Sequence, residues 1–364
     1  MRIFEVAPFA APIDERGVQL GGAQVLIADL ARGLASRGHA VTLAAANGSF
    51  VSGVTLADLD IDSAGLRRAD LGPRDAPRAD DAEQRAAFMR VREWLEAHEI
   101  DVVHAHAYDA PAFDALSRAP RPVLHTLHLP PLDAVVVRAA RAAQGATFAT
   151  VSAANARAWT MLGVAVRHVI HNGVDLTRIP FSTRRGDHLL YAGRISPEKG
   201  VATAIDIASR AGRGLVIVGG VYDEAYFARA IAPRVRRESE PDPHSPVRGA
   251  VYLGARPREE VYRLMGSAAV TLLPVQWEEP FGLVAVESLA AGTPVVGYRR
   301  GGLAEIVDSG SGVLVRPGDE AELVRAVDRA TSLDPHDCRR RAERFGLAAM
   351  IGGYEALLED LASP

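Results

Sequence analysis

Short apolar segments alternate with helical patterns along nearly the whole chain. Residues 3–6 and 41–46 are candidate strands on either side of an amphipathic helical pattern at 22–37. The alternation then continues with candidate strands at 101–106, 123–127, 148–152 and 166–171, and after a break at 188–191, 215–218, 251–253, 270–273 and 294–297. Alternation of this kind indicates parallel sheets covered by helices on both faces, so we predict an α/β fold.

The alternation is interrupted once, at residues 177–187, where Pro180 and charged residues replace the periodic pattern. A length of 364 residues corresponds to about two domains of typical size. Two polar insertions, 63–81 and 237–248, are predicted to be mobile surface loops. We therefore predict two Rossmann-like domains that face each other across a cleft: an N-terminal domain at 1–176, a linker at 177–187, a C-terminal domain at 188–347, and a final helix at about 348–364 that can pack back on the N-terminal domain.

Composition limits the partners and the compartment. Lys and Arg total 41 against 45 for Asp and Glu, so the net charge of -4 supplies no basic field for a nucleic acid, and none is expected as a partner. The single cysteine, Cys338, cannot form an intrachain disulfide, which favours a cytoplasmic protein. No apolar run approaches the roughly 20 residues of a membrane-spanning helix. Peripheral membrane contact is left open, although no basic amphipathic helix supports it.

The most informative cluster lies at residues 279–287. Pro280 and Gly282 follow a candidate strand, and an apolar helix begins directly after them. The start of that helix would offer its unpaired N–H groups to a phosphate or a polar sugar. Glu279 lies at this turn, where capping alone would explain it, but Glu287 lies in a helix that is apolar on nearly every side and therefore needs a polar partner. We interpret both acids as binding residues.

A second cluster, residues 193–200, directly follows the candidate strand at 188–191. Arg194 and Lys199 lie five positions apart on this loop and could clamp a diphosphate from two sides. A turn with solvated charges is the alternative interpretation. We favour binding because both clusters are expected at the same edge of one sheet.

Together these motifs resemble those of glycosyltransferase family 4, retaining enzymes with the two-domain GT-B fold. The resemblance rests first on the C-terminal half, with Gly193-Arg194, Glu198-Lys199-Gly200, Glu279-Pro280-Phe281-Gly282-Leu283, Glu287 and Gly292-Thr293-Pro294-Val295-Val296. Looser matches extend it over nearly the whole chain: Gly21-Gly22, Arg37-Gly38-His39, His171-Asn172-Gly173-Val174-Asp175, and Gly301-Gly302 with Glu305.

The resemblance implies a role for each matched residue. Arg194 and Lys199 would bind the donor diphosphate and offset the charge of the leaving group. Glu279 would bind hydroxyls of the donor sugar near the reacting carbon, and Glu287 would hold the ribose hydroxyls. The backbone amides of Phe281, Gly282 and Leu283 would complete the donor pocket, while Gly21 and Gly22 would let the N-terminal domain approach the phosphates closely.

The same resemblance matches His128 to an active-site histidine near the donor sugar and the acceptor. His104, His106 and His125 also lie at strand ends, so each of them stays a candidate for that role. His104 and His106 share one strand face, but no third ligand is evident, and no metal site is predicted. Because two cations would stabilise the departing diphosphate, we expect neither a metal nor a cofactor beyond the nucleotide-sugar co-substrate.

The expected function is therefore transfer of a hexose, with retention, from a nucleoside diphosphate sugar such as UDP-glucose to an acceptor on the N-terminal domain. The acceptor is a small molecule, a glycan or a lipid, and the sequence leaves its identity, the nucleotide and the oligomeric state open. Two alternatives are kept: a nucleotide-sugar epimerase of related fold, and a non-catalytic nucleotide-sugar binding protein. A nicotinamide dehydrogenase is disfavoured because no G-x-G-x-x-G motif follows the first strand.

Overall fold

A computed structural model describes residues 1–16, 21–64, 66, 81–237 and 247–363. Most of the two predicted surface insertions, 63–81 and 237–248, lies outside these described residues. The chain forms two compact units, one of Met1–Gly173 with Ala348–Pro364 and one of Val174–Leu347.

The first unit is built on a seven-stranded sheet in which all neighbouring strands are parallel. Its strands are β1 (Arg2–Val6), β2 (Ala40–Ala44), β3 (Thr55–Leu56), β4 (Val102–Ala105), β5 (Val123–Leu127), β6 (Thr147–Thr150) and β7 (Val166–Val169), in the order β3-β2-β1-β4-β5-β6-β7. Its helices are α1 (Gly22–Ser36), α2 (Asp81–Ala97), α3 (Ala110–Leu116), α4 (Ala134–Ala142) and α5 (Ala153–Met161).

The second unit repeats this plan with another seven-stranded parallel sheet. Its strands are β8 (Leu189–Ala192), β9 (Leu215–Val218), β10 (Arg236–Arg237), β11 (Ala250–Tyr252), β12 (Val270–Leu273), β13 (Val295–Tyr298) and β14 (Gly312–Val315), in the order β10-β11-β9-β8-β12-β13-β14. Its helices are α6 (Val201–Arg210), α7 (Glu224–Tyr226), α8 (Arg258–Ser267), α9 (Leu283–Ala290), α10 (Leu303–Ile306), α11 (Glu320–Thr331) and α12 (Pro335–Glu343).

A last helix, α13 (Leu347–Ala362), places most of its residues in the first unit. There the ring of Tyr354 lies 4.9 Å from the ring of His104 on β4. The segment predicted as a linker, 177–187, falls within the second unit, and there the backbone N–H of Gly186 donates to the carbonyl of Ser267 at 2.7 Å. Within the described part of the chain, no helix combines the length and the apolar character that crossing a lipid bilayer requires.

Each sheet has one point at which its strand order reverses, between β1 and β4 in the first unit and between β8 and β12 in the second. The central strands are buried on both faces and therefore appear as nearly continuous apolar runs in the sequence. At such a reversal the flanking connections diverge, and a crevice opens at the carboxyl ends of the strands. The α/β class and the two Rossmann-like domains are confirmed, and the positions after β1, β4, β5, β8 and β12 are where a site is expected.

Candidate functional site

Two loops at the reversal point of the second sheet bring Lys199 and Glu279 into contact. Lys199 ends a short 3-10 turn after β8, and Glu279 lies between β12 and α9. The Lys199 Nζ is 2.7 Å from the Glu279 Oε2, and the two side chains are 19% and 12% exposed. An ammonium has three donors, so Lys199 can hold Glu279 and still donate to a ligand. Lys199 is also the only lysine in the chain.

Trp277 holds both members of this pair, and its role was not predicted from the sequence. Its indole N–H donates to the Glu279 Oε2 at 2.8 Å. Its ring also lies under the ammonium of Lys199, with 4.7 Å between the Nζ and the ring centroid. The ring face attracts the cation, so the side chain of Trp277 positions both Glu279 and Lys199. The only sequence signal was an aromatic residue two positions before the acid.

Glycine is required at two close backbone contacts of this site, at Gly200 beside Lys199 and at Gly301 in the loop between β13 and α10. Gly200 has a φ of +75°, and a Cβ there would lie 2.0 Å from the carbonyl oxygen of Pro274. Gly301 has a φ of +54°, and a Cβ there would lie 2.1 Å from the carbonyl oxygen of Glu279. Both positions combine a left-handed backbone with a contact that no side chain fits, which accounts for glycine beside Lys199 and behind Glu279.

Arg194 lies in the same loop as Lys199 and has different partners. Its guanidinium carbon is 4.6 Å from the centroid of the Tyr222 ring, and its Nη2 is 3.6 Å from the Glu198 Oε1. Ser196 Oγ donates to the same Glu198 oxygen at 2.6 Å. The ion pair with Glu198 is longer than a good hydrogen bond and the side chain is 30% exposed, so its planar fork is accessible to a ligand oxygen.

Glu287 on α9 has the polar partners that its apolar helix requires, and both come from α8. It accepts hydrogen bonds from the Arg258 Nη2 at 2.9 Å and from the Tyr262 hydroxyl at 3.3 Å. Burial, reinforced by the adjacent Glu287 carboxylate, raises the pKa of Tyr262 above its usual range, so the hydroxyl stays a donor. Arg258 and Tyr262 were not predicted from the sequence because they lie 29 and 25 residues from their partner.

The helix α9 begins where the sequence predicts, with Gly282 as its N-cap at a φ of +104°. Phe281 is buried and packs edge-on against Phe345, with 5.8 Å between ring centroids. This packing fixes the turn that carries the backbone amides of Phe281, Gly282 and Leu283. The first N–H groups of any helix lack partners within the helix, so the amide of Leu283, the first residue of α9, can donate to an anion or a hydroxyl. Binding by the amides of Phe281 and Gly282 stays a prediction.

In the first unit, the buried carboxylate of Glu5 binds two histidines, His104 and His106, at the reversal point of the sheet. Glu5, near the end of β1, is fully buried and accepts hydrogen bonds from His104 Nδ1 at 3.2 Å and from His106 Nε2 at 2.6 Å. His106 Nδ1 lies 2.9 Å from the Nε2 of His128, which follows β5 and is partly exposed. His104 Nε2 also bonds the Thr126 hydroxyl at 2.8 Å.

The environment of this cluster sets its charges. Burial raises the pKa of Glu5, but the attraction and the hydrogen bonds of His104 and His106 outweigh it and lower the pKa to about 2. Burial and repulsion from His104 lower the pKa of His106 to about 4. Burial, with repulsion from His106 and His104, holds the pKa of His128 well below its usual range. At neutral pH the carboxylate is ionised, and His106 and His128 are neutral.

His125 lies apart from this cluster. Its ring is 1% exposed, stands 4.6 Å from the Phe113 ring and 5.6 Å from the Phe148 ring, and neither nitrogen has a hydrogen-bond partner among the described residues. Burial lowers its pKa to about 3. Of the four histidines that the sequence proposed, His104, His106 and His125 are buried, so His128 alone presents its ring to a ligand.

Glu5 is a third potential metal ligand beside His104 and His106, and the sequence did not reveal it. Ligand atoms of these three residues lie within 4.8 Å of one another, a spacing compatible with a metal ion. Hydrogen bonds inside the protein already engage both Glu5 oxygens and all four ring nitrogens of His104 and His106. Hydrogen bonding therefore accounts for the cluster, and the expected lack of a metal stays a prediction.

Gly21 and Gly22 lie at the start of α1, as the sequence predicts. Gly22 is the first residue of the helix, and Gly21 is its N-cap in an extended conformation. A Cβ on Gly21 would lie 2.5 Å from the Gln24 Oε1, the movable end of a flexible side chain. The close approach of this backbone to a phosphate stays a prediction.

Comparison with known proteins places both halves of the chain in one group of enzymes. Residues 20–178 match the family described as "Glycosyltransferase Family 4", and residues 181–346 match the family described as "Glycosyl transferases group 1". A phosphatidyl-myo-inositol mannosyltransferase of Mycobacterium tuberculosis is 27% identical over 378 residues, covering 96% of this chain and 88% of the relative.

Two further similarities are more limited. A glycogen synthase of Mycobacterium tuberculosis is 38% identical over 191 residues, covering 50% of this chain and 43% of that enzyme, so the chain matches less than half the length of this relative. The crystal structure of AviGT4, a glycosyltransferase involved in avilamycin A biosynthesis, shares the fold with a TM-score of 0.69 and 23% identity, covering 100% of this chain and 98% of that one.

Proposed function

Because the chain belongs to glycosyltransferase family 4, we propose that it transfers a hexose from a nucleoside diphosphate sugar to an acceptor, with retention at the anomeric carbon. The observation that carries the proposal is the contact between Lys199 and Glu279 at the reversal point of the second sheet. A cation for the diphosphate and an acid for the sugar meet there, beside the start of α9.

Catalysis would be electrostatic. As the bond between the anomeric carbon and the diphosphate oxygen breaks, negative charge grows on the leaving group, and Arg194 and Lys199 would offset it. Glu279 would orient the sugar hydroxyls, while Glu287 would hold the ribose. The acceptor oxygen forms the new bond to the anomeric carbon, and its proton passes to the departing phosphate. In this route no side chain acts as a covalent nucleophile, and neither a metal nor another cofactor is required.

Two further assignments belong to the same proposal. The acceptor, whether a small molecule, a glycan or a lipid, would bind to the N-terminal domain, with His128 close to the donor sugar. The name of the mannosyltransferase relative describes transfer of a hexose to a lipid, which supports a hexose as the transferred group. We take UDP-glucose as the first donor to test and GDP-mannose as the second.

A ligand panel followed by a turnover assay tests this function. The melting temperature is measured with UDP, GDP, ADP and their hexose conjugates, because a ligand that binds only the folded state raises it. The stabilising sugar nucleotide is then incubated with the protein, with and without a panel of acceptors. Release of the diphosphate together with an α-linked product supports the proposal. Isomerisation of the donor without any acceptor would support an epimerase, and binding without turnover would support a binding protein.

A further inference from the structure

A chain of hydrogen bonds leads from a fully buried carboxylate to the partly exposed ring of His128. Glu5 Oε2 accepts from His106 Nε2 at 2.6 Å, and His106 Nδ1 is 2.9 Å from His128 Nε2. Glu5 and His106 are 0% and 2% exposed, so neither can reach a substrate. Any effect of Glu5 and His106 on the reaction must therefore be transmitted through His128.

The position of each proton in this chain follows from the carboxylate. An ionised carboxylate only accepts, so the proton of His106 is on its Nε2. A neutral imidazole with a proton on Nε2 carries a lone pair on Nδ1, so the bond between the two rings is donated by His128 Nε2. The Nδ1 of His128 is left with a lone pair. The lowered pKa values of Glu5 and His106, about 2 and 4, agree with this arrangement at neutral pH.

We propose that Glu5 and His106 are positioning residues that hold His128 in the tautomer with its proton on Nε2, so that Nδ1 accepts a hydrogen bond from a sugar hydroxyl. This inference rests on the proposed function, which places His128 beside the donor sugar. The partner of one ring nitrogen decides which role the other can take, and a wrong tautomer leaves the site with a donor where it needs an acceptor.

His104 provides a matched comparison within the same cluster. It is as buried as His106 and donates to the same carboxylate, at 3.2 Å, but its other nitrogen bonds Thr126 instead of His128. Replacing either histidine removes one donor from Glu5 and leaves a buried carboxylate with one partner fewer. Only the replacement of His106 breaks the link to His128.

The first test is nuclear magnetic resonance of the imidazole nitrogens in the unliganded wild-type protein at neutral pH. We expect a proton bonded to His128 Nε2, with a coupling through the hydrogen bond to His106 Nδ1. A proton on His106 Nδ1, or no coupling between the two rings, would overturn the inference. So would a stoichiometric metal in the purified protein, because a metal bound to Glu5 and His106 replaces their hydrogen bond. None of these readouts depends on glycosyl transfer.

The second test compares His106→Phe with His104→Phe, which both keep a ring of similar size. We expect His106→Phe to lower kcat by about 10-fold to 100-fold, the range for losing an orienting partner, with little change in the KM for the donor. The loss in His104→Phe should be about tenfold smaller, although both variants should lose similar thermal stability. Equal losses of kcat in the two variants would mean that Glu5 and His106 stabilise the fold and do not position His128. If either variant fails to fold, the wild-type spectrum decides alone.

Discussion

Lys199 Nζ and Glu279 Oε2 lie 2.7 Å apart although 80 residues separate them in the chain. The contact is partly buried, so solvent screens it less than a surface ion pair. In the unliganded protein the acid neutralises the cation, and Trp277 holds both. A diphosphate would then bind a lysine that is already positioned, with little cost for ordering its flexible side chain.

Replacing Lys199 with methionine should lower kcat/KM for the donor by about 10²-fold to 10³-fold, the range for removing one preorganised electrostatic contact. Lys199→Arg should not restore the activity, because a planar guanidinium cannot take the place of a compact ammonium between Glu279 and Trp277. Steady-state kinetics measure both variants. Arg213→Met, which removes one charge beside the exposed Asp328, is the control. Wild-type kinetics in Lys199→Met would remove this residue from the site.

Replacing Gly200 with alanine should displace the loop that carries Lys199. The substitution puts a side chain on a left-handed residue, which costs about 1–2 kcal/mol of unfolding free energy, and it also forces a Cβ against the Pro274 carbonyl. Gly212→Ala is the matched control, since Gly212 has a φ of +65° and a Cβ added there would meet no described atom within 4 Å. Urea unfolding should show the larger loss for Gly200→Ala, together with lost donor affinity. Equal losses would mean that the close approach does not matter.

The sequence predicts the buried parallel strands well, because a strand covered on both faces is a continuous apolar run. The strands at 123–127, 215–218 and 270–273 have the predicted bounds, and the other predicted strands lie within two residues of theirs. The two-residue strands β3 and β10 were not predicted, since both are exposed and carry no apolar pattern. The half-exposed β14 was missed as well.

The candidate site was predictable only in part. Arg194, Lys199 and Glu279 lie on loops whose turn residues are visible in the sequence, and Glu287 lies in α9, whose start those turn residues mark. Glu5 was not predictable, because it sits inside an apolar strand and its partners on β4 are about 100 residues away. Only the parallel register between β1 and β4, which pairs Glu5 with His104, brings them together. Arg258 was missed for a similar reason.

Replacing His125 with phenylalanine should stabilise the protein. The two ring nitrogens of His125 are buried without partners among the described residues, between Phe113 and Phe148, and each such polar atom costs about 1–3 kcal/mol. A phenylalanine ring removes that cost and adds apolar contact. We expect a higher free energy of unfolding in urea and unchanged transfer kinetics. A less stable variant would indicate that a polar partner for His125 exists in solution.

Acid should destabilise the first unit in two stages. The pKa of His106 is about 4 and that of His125 about 3 in the folded state, below the ordinary histidine value of 6.5. The unfolded chain therefore binds protons more readily, and stability that is complete above pH 6.5 falls as the pH drops from there toward 4 and 3. Glu5, with a pKa of about 2 against 4.5, adds a loss below pH 4.5.

The free energy of unfolding, measured in urea across about pH 3 to 8, checks this behaviour. Each buried histidine should contribute a slope of about 1.4 kcal/mol per pH unit within its window. His125→Phe removes one of these groups, so the free energy of unfolding should fall less steeply at acidic pH, by about that slope. A free energy that stays constant between pH 6.5 and 4 would contradict the neutral, buried histidines.

The most direct measurement uses the only ε-amino group in the chain, that of Lys199. Wild-type protein is treated with an amine-acetylating reagent alone, with saturating UDP, GDP or ADP, and with the corresponding nucleosides. Mass spectrometry then gives the acetylated fraction of Lys199, with the α-amino group of Met1 as the internal reference. At least one nucleoside diphosphate should protect Lys199 while its nucleoside does not. Equal acetylation of Lys199 under all conditions would contradict a diphosphate site at Lys199 and Glu279.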